Sequence, residues 1–160
     1  MIADKILGNL NGQHPTDEVV PVVFAWFETE KKRIAKTAAD GTELGVCVGV
    51  PLHAGDVLAE QNGKIYVVEV APAPLIQTQV STMQEMGRLC FELGNRHLPL
   101  QIEEHTVSVP YDEPTLLYLQ RLGFDAKQVF ADFSDHVACR AHGTGEHHHA
   151  HDHTHSHAHG

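Results

Sequence analysis

Histidine is the residue that gives this chain its chemical options. Of its 14 histidines, nine fall between positions 142 and 159: His142, His147, His148, His149, His151, His153, His155, His157 and His159. Imidazole is a borderline ligand that suits nickel, copper, zinc and cobalt. Alternate residues of an extended chain face the same side, so the His-x-His pattern can present successive rings together. No apolar residue larger than alanine occurs in this stretch, so nothing offsets the entropy of ordering, and disorder without metal is expected. The composition points to divalent transition metal without choosing one. A purification tag is the competing reading. Asp152, Thr154, Ser156 and Ala158 interrupt the histidines, which argues for a native tail.

A tenth histidine, His97, stands in the run Leu93-Gly94-Asn95-Arg96-His97-Leu98-Pro99-Leu100-Gln101-Ile102. The residues before it predict an amphipathic helix over Ser81–Leu93. Ser81 and Gln84 have capping-box spacing, Met83, Met86, Cys90 and Leu93 share a face, and Gly94 is the expected stop. Leu98–Ile102 reads as a short buried strand. His97 is thus expected where a helix hands over to a strand, on a rigid frame. Taken alone it would be a half-buried histidine hydrogen-bonded in a turn. One imidazole binds a divalent ion weakly, and the run holds no second histidine or cysteine, so a metal site here needs ligands from elsewhere.

Composition narrows the classes. A formal charge of −10, from 11 basic and 21 acidic residues, argues against nucleic acid, whose phosphates call for a basic face. No apolar run approaches the roughly 18 residues that span a bilayer, and no signal-peptide pattern opens the chain, so a cytoplasmic protein with no membrane partner is expected. Cys47, Cys90 and Cys139 are odd in number and far apart, which fits a reduced compartment without disulfides.

The elements follow from turn chemistry. Ile2–Leu10 is an apolar opening that suits an edge strand, and Asn11–Thr16 a turn with His14 exposed. Val19–Phe27 is apolar and β-branched, and Pro21 places it at an edge. Asp40-Gly41 predicts a hairpin joining Arg33–Ala38 to Thr42–Val50, and Asn62-Gly63 another joining Asp56–Gln61 to Lys64–Val70. Together these make a small all-β module, a sandwich or barrel, over residues 1–73. Ala71-Pro72-Ala73-Pro74 is read as a break that no central strand continues through. Residues 74–138 then give strand Leu75–Val80, the helix before His97, strands Leu98–Ile102 and Thr106–Val109, a helix from the cap Asp112 through Leu116, Leu119 and Leu122 to Gly123, and strand Lys127–Phe133. The order βαββαβ is that of a ferredoxin-like domain, so the fold class is α+β, with residues 139–160 as the histidine-rich tail.

The run Gly94-Asn95-Arg96-His97-Leu98-Pro99-Leu100-Gln101 resembles the signature of the UreE family of urease accessory proteins, which are nickel metallochaperones. The resemblance extends over Asp40-Gly41-Thr42-Glu43, Gly55-Asp56-Val57-Leu58 and Glu30-Lys31-Lys32-Arg33, although only the His97 run and the tail are specific. It implies that His97 is a metal ligand at a homodimer interface, and that the N-terminal module engages partner proteins. It further implies that Ni(II) is cargo for the urease apoprotein, delivered with other accessory proteins that include a GTPase. An isologous dimer brings two copies of His97 together, and tail histidines from His142 onward can complete the shell. Zn(II) or Cu(II) are further possible cargoes. His105, His136 and Cys139 are weaker candidate ligands. Where family members carry histidines before the second helix this chain has Tyr111-Asp112-Glu113, and Asp112 is read as a cap. His53 is expected to cap a surface turn.

An enzyme is not expected. The folded part has no pair of histidines at i and i+4 around a glutamate, and no phosphate-binding G-x-x-x-x-G-K-[ST] run, so the chain is not itself the GTPase. Storage or detoxification of divalent metal is the alternative function, and the tail fits it equally well.

Overall fold

The computed structural model describes residues 1–138. It is α+β, with mostly strands and two helices. In chain order the elements are β1 (Ile2–Ala3), β2 (Gly8–Asn9), β3 (Glu18–Phe24), β4 (Ile34–Thr37), β5 (Glu43–Val46), β6 (Asp56–Gln61), β7 (Lys64–Val70), β8 (Ala73–Gln79), α1 (Met83–Asn95), β9 (Gln101–Ile102), β10 (Thr106–Pro110), α2 (Glu113–Arg121) and β11 (Asp125–Ala131). No helix among the described residues is long and apolar enough to cross a membrane.

The first seven strands form two sheets, in the orders β1-β5-β4 and β2-β6-β7-β3. Inward-facing residues of both, among them Val20, Val22, Phe24, Leu44, Val46, Tyr66 and Val68, share one core. The hairpins at Asp40-Gly41 and Asn62-Gly63 form as expected. Asn62 and Gly63 both take the positive φ that a tight two-residue turn requires. Pro21 lies on β3, an edge strand, where its missing N–H removes nothing from the pairing with β7. The opening stretch is less regular than its apolar run suggests. It yields two separate two-residue strands, because β1 pairs with β5 and β2 with β6, in different sheets.

The remaining strands form a third sheet, in the order β11-β8-β10-β9 with every neighbouring pair antiparallel. Leu89 and Leu93 of α1 and Leu119 of α2 pack with Ile76, Val107 and Val109 to make its core. Ala73 and Pro74, expected to interrupt the chain, instead open β8, a strand with neighbours on both sides. Pro74 sits at its start, opposite Phe130 of β11 and one residue outside the β10 pairing, where its carbonyl accepts from the Tyr111 N–H at 3.0 Å and a proline is tolerated at the start of a strand.

Three details of α1 correct the sequence reading. The cap is Thr82, one residue later than expected, whose hydroxyl accepts from the Glu85 N–H at 3.1 Å, while the Glu85 carboxylate accepts from the N–H of Ser81, the residue before the cap, at 2.7 Å. Met83 is 91 % exposed, and Leu89 occupies the inner face instead, because the face is set by which turn meets the sheet. Gly94 does not stop the helix; it lies within the last turn. Downstream, only Gln101 and Ile102 of the predicted Leu98–Ile102 strand pair with β10, and Ile102 is exposed. Pro99 and a bend at the helix exit use up the preceding residues. Asp112 caps α2 as expected, accepting from the N–H and hydroxyl of Thr115 at 3.0 and 2.7 Å, and Gly123 ends it with positive φ.

Candidate metal site

The helix exit determines what His97 can do. Past Asn95 the chain turns at Arg96, and His97 takes the left-handed conformation with φ +55°. Its N–H donates to the Gly94 carbonyl at 3.0 Å, and the Leu98 N–H reaches back to the Leu93 carbonyl at 3.5 Å. This is the Schellman arrangement, whose left-handed residue is usually glycine. An L-residue with a side chain costs about 1–2 kcal/mol there. The imidazole is exposed rather than half-buried. It stands at the C-terminal end of a 13-residue helix, where the backbone dipole presents partial negative charge and favours a cation. Pro99, two residues past the left-handed position, is the sequence signal that the helix outruns Gly94.

The surroundings hold the corner in place. The Arg96 guanidinium lies over the ring of Tyr118 on α2 at 5.1 Å. The Tyr118 hydroxyl donates to Glu92 at 2.6 Å, and that carboxylate pushes the phenol's pKa above its ordinary value. Asp112 is held below the usual carboxylate range, first by the Thr115 hydroxyl and amide, with a smaller contribution from the charge of Arg96. Beside the corner is an open hollow of about 570 Å³ lined by Arg96, Glu113, Pro114, Leu117, Tyr118 and Arg121. Phe91 of α1 and Leu117 of α2 are exposed on these same two helices.

Among the described residues, no group of three or more His, Cys, Asp or Glu side chains comes together as a metal cage. His97 stands as a single donor. His105 lies exposed in the turn between β9 and β10, 3.6 Å from Glu104. His14 is exposed in its loop. At His53 the roles are reversed from the expected ones: Asp56 caps the turn by accepting from the His53 N–H at 2.7 Å, and the imidazole projects outward. His136 does not bond to its neighbour Asp135. Its ring stacks on Phe133 with centroids 4.9 Å apart, meets the edge of Trp26 at 5.6 Å, and places Nε2 3.6 Å from Glu30. Cys139 and His142, His147, His148, His149, His151, His153, His155, His157 and His159 lie outside the described residues.

One contact was not foreseen. Val137 and Leu100 exchange backbone hydrogen bonds, each 2.8 Å, as an isolated antiparallel bridge. No periodicity signals a single bridge. It fastens the residues that lead into the tail to a point three positions from His97.

Comparison with known proteins covers both halves of the chain. Residues 3–71 match the family described as the UreE urease accessory protein, N-terminal domain, and residues 73–159 match its C-terminal domain. The urease accessory protein UreE of Bifidobacterium longum subsp. infantis is 49 % identical over 144 residues, 89 % of this chain and 65 % of that protein. This chain therefore spans a little under two thirds of the length of that relative. UreE of Acetivibrio thermocellus is 32 % identical over 151 residues, 92 % of this chain and 99 % of its own. UreE of Flavobacterium johnsoniae is 32 % identical over 141 residues, 86 % of each. With both halves matched and relatives aligned over most of its length, this chain belongs to the UreE family of urease accessory proteins.

Proposed function

We propose that this protein is a nickel metallochaperone that carries Ni(II) for assembly of the urease active site, working as a cytoplasmic homodimer. The family is one of accessory proteins, not enzymes. Residues 1–73 form the partner-binding β module, residues 74–138 a ferredoxin-like domain for dimerisation and metal, and residues 139–160 the tail that gathers metal. The strand order β11-β8-β10-β9 and its antiparallel pairing support the ferredoxin-like assignment. The free thiols of Cys47 and Cys90 fit a reducing compartment.

The observation that carries the reading is the exposed imidazole of His97 on a left-handed helix cap, fastened through Leu100–Val137 to the root of the histidine tail. A nickel ion needs several donors, and one subunit supplies a single fixed one. Two subunits meeting across the α1–α2 face, where Phe91 and Leu117 are exposed, would bring both copies of His97 to one ion. The first tail histidine, His142, is five residues beyond Val137, an extended reach of at most about 18 Å, and His97 is at most about 11 Å of chain from Leu100. Tail imidazoles can therefore complete the shell. Such a site is open to solvent, which suits release of cargo to the urease apoprotein and its accessory proteins, a GTPase among them. Zn(II) and Cu(II) would compete for the same donors.

Nickel titration of the full chain and of His97→Ala tests this. The substitution should remove the tightest ion per dimer and lower urease activation while tail binding persists. Unchanged stoichiometry and unchanged activation would leave storage as the function. Loading should also fall as pH drops below about 6.5, because protons compete for imidazole.

A further inference from the structure

His97 follows directly on the exit of α1, and a helix end is where a chain frays, since its final carbonyls have no partner within the helix. Two backbone hydrogen bonds close this exit. The His97 N–H donates to the Gly94 carbonyl at 3.0 Å, and the Leu98 N–H to the Leu93 carbonyl at 3.5 Å. The second lies at the outer limit of a hydrogen bond. Both must hold a residue with a side chain at φ +55°, a conformation that a Cβ disfavours. The backbone alone is a weak fastening for a residue whose direction matters.

Side chains supply the rest. Glu92 and Arg96 stand four positions apart, so they share one face of α1 a turn apart. Both reach the same residue of α2. The Glu92 carboxylate accepts from the Tyr118 hydroxyl at 2.6 Å, and the Arg96 guanidinium lies 5.1 Å from the centre of the Tyr118 ring. One grips the polar end of the ring and the other its face. Tyr118 is half-buried and packs against the core under the helices, so it is a fixed post rather than a loose surface ring. Arg96 also stands near enough to Asp112, the cap of α2, for its charge to favour that carboxylate. Arg96 is itself the cap of α1, at φ −89° and ψ 0°, and His97 is the next residue. Holding the Arg96 side chain on α2 therefore holds the peptide from which His97 departs.

We propose that Tyr118, gripped by Glu92 and Arg96, is a positioning residue for His97: the clamp pins the exit of α1 to α2 and so fixes the direction in which the imidazole projects. This rests on the nickel-carrier reading above. A ligand that must meet a second copy of itself at one ion can use only one direction, and a frayed exit would spread the ring over many. Residues that orient a metal-binding imidazole by hydrogen-bonding it are worth about 10- to 100-fold in affinity. The clamp works through the backbone rather than on the ring, so the low end of that range, about tenfold, is expected.

The experiment is nickel titration of the full chain by calorimetry, with amide hydrogen exchange of the metal-free proteins alongside. The series is wild type, Tyr118→Leu, Tyr118→Phe, Arg96→Ala, His97→Ala, and Tyr118→Leu combined with His97→Ala. Tyr118→Leu and Arg96→Ala should each weaken the tightest nickel about tenfold. Both should speed exchange of the His97 and Leu98 amides while the amides of β8 stay as slow as in wild type. Tyr118→Phe keeps the ring beneath Arg96 and loses only the hydroxyl, so it should bind more tightly than Tyr118→Leu. In the His97→Ala background Tyr118→Leu should cost nothing further, which a general loss of stability would not reproduce. Arg96 is exposed, so its variant carries the test even if Tyr118→Leu does not fold. The proposal is overturned if both release variants bind as wild type, if neither speeds exchange at the corner, if phenylalanine is as poor as leucine, or if the loss persists without His97. If His97→Ala itself has no effect, the carrier reading fails; if it weakens binding while the release variants do not, only the clamp fails.

Discussion

A histidine at the left-handed position of a helix cap sets stability against function, and that opposition can be measured. Replacing His97 by glycine relieves a conformation that costs a residue with a Cβ about 1–2 kcal/mol. Glycine also gains freedom in the unfolded chain, worth about 0.4–1 kcal/mol in the opposite sense. The exposed imidazole makes no hydrogen bond that would be lost among the described residues. The net expectation is that His97→Gly is more stable than His97→Ala by about 0.5–1 kcal/mol. For a chain of this length that is a Tm higher by about 1–4 °C. Both variants should lose the proposed nickel site, so the comparison separates backbone strain from metal binding. Thermal and urea unfolding at one fixed protein concentration, without metal, give the comparison, since any self-association would make Tm depend on concentration. A glycine variant that unfolds below the alanine variant would refute the left-handed geometry and the strain inferred from it.

Other substitutions probe the frame around that corner. Leu89→Ala, at a wholly buried position on the inner face of α1, should cost about 3 kcal/mol in urea unfolding; a loss under 1 kcal/mol would mean that α1 does not seat on the sheet as described. Gly55→Ala combines φ +88° with a new Cβ 2.9 Å from Asn9 Oδ1. It should destabilise by about 1–2 kcal/mol and disturb the Asn9–Asp56 hydrogen bond, with a neutral result contradicting that turn. The ionised Asp112 cap stabilises α2 fully above its unfolded pKa of about 4, and this is lost as pH falls through the depressed folded value. Asp112→Asn should therefore flatten the fall in urea midpoint between about pH 5 and about pH 2; an unaltered slope would show that the carboxylate is not held low by Thr115.

Much of this molecule can be read from local chemistry. The two hairpins announce themselves through Asp40-Gly41 and Asn62-Gly63, because few residues tolerate their backbone angles, and Pro21 marks an edge because it withholds a donor. Asp112 and Gly123 bracket α2 for similarly local reasons. The errors arise where tertiary contacts override local signals. Gly94 looks like a stop, but a glycine can sit inside a last turn when another residue accepts the left-handed angle, and nothing in the type of His97 says that it will. Pro74 looks like a breaker, yet the register of β10 begins one residue later and a proline is tolerated at the start of a strand. The family was legible because the His97 run is a linear signal. The Trp26–Phe133–His136 stack was not, since it joins residues more than a hundred positions apart through packing alone.

The pairing of β3 with β7 has a consequence during synthesis. Each residue of β3 meets a partner about 46 positions further along, so the strand leaves the ribosome long before its neighbour exists. At usual elongation rates the wait is roughly 2–9 s. Through it Val19, Val20, Val22 and Val23 form an apolar, β-prone edge of the sort that recruits other nascent chains. Pro21 stands in their midst and cannot donate to an intruding strand, which makes it a gatekeeper against aggregation as well as a tolerated edge residue.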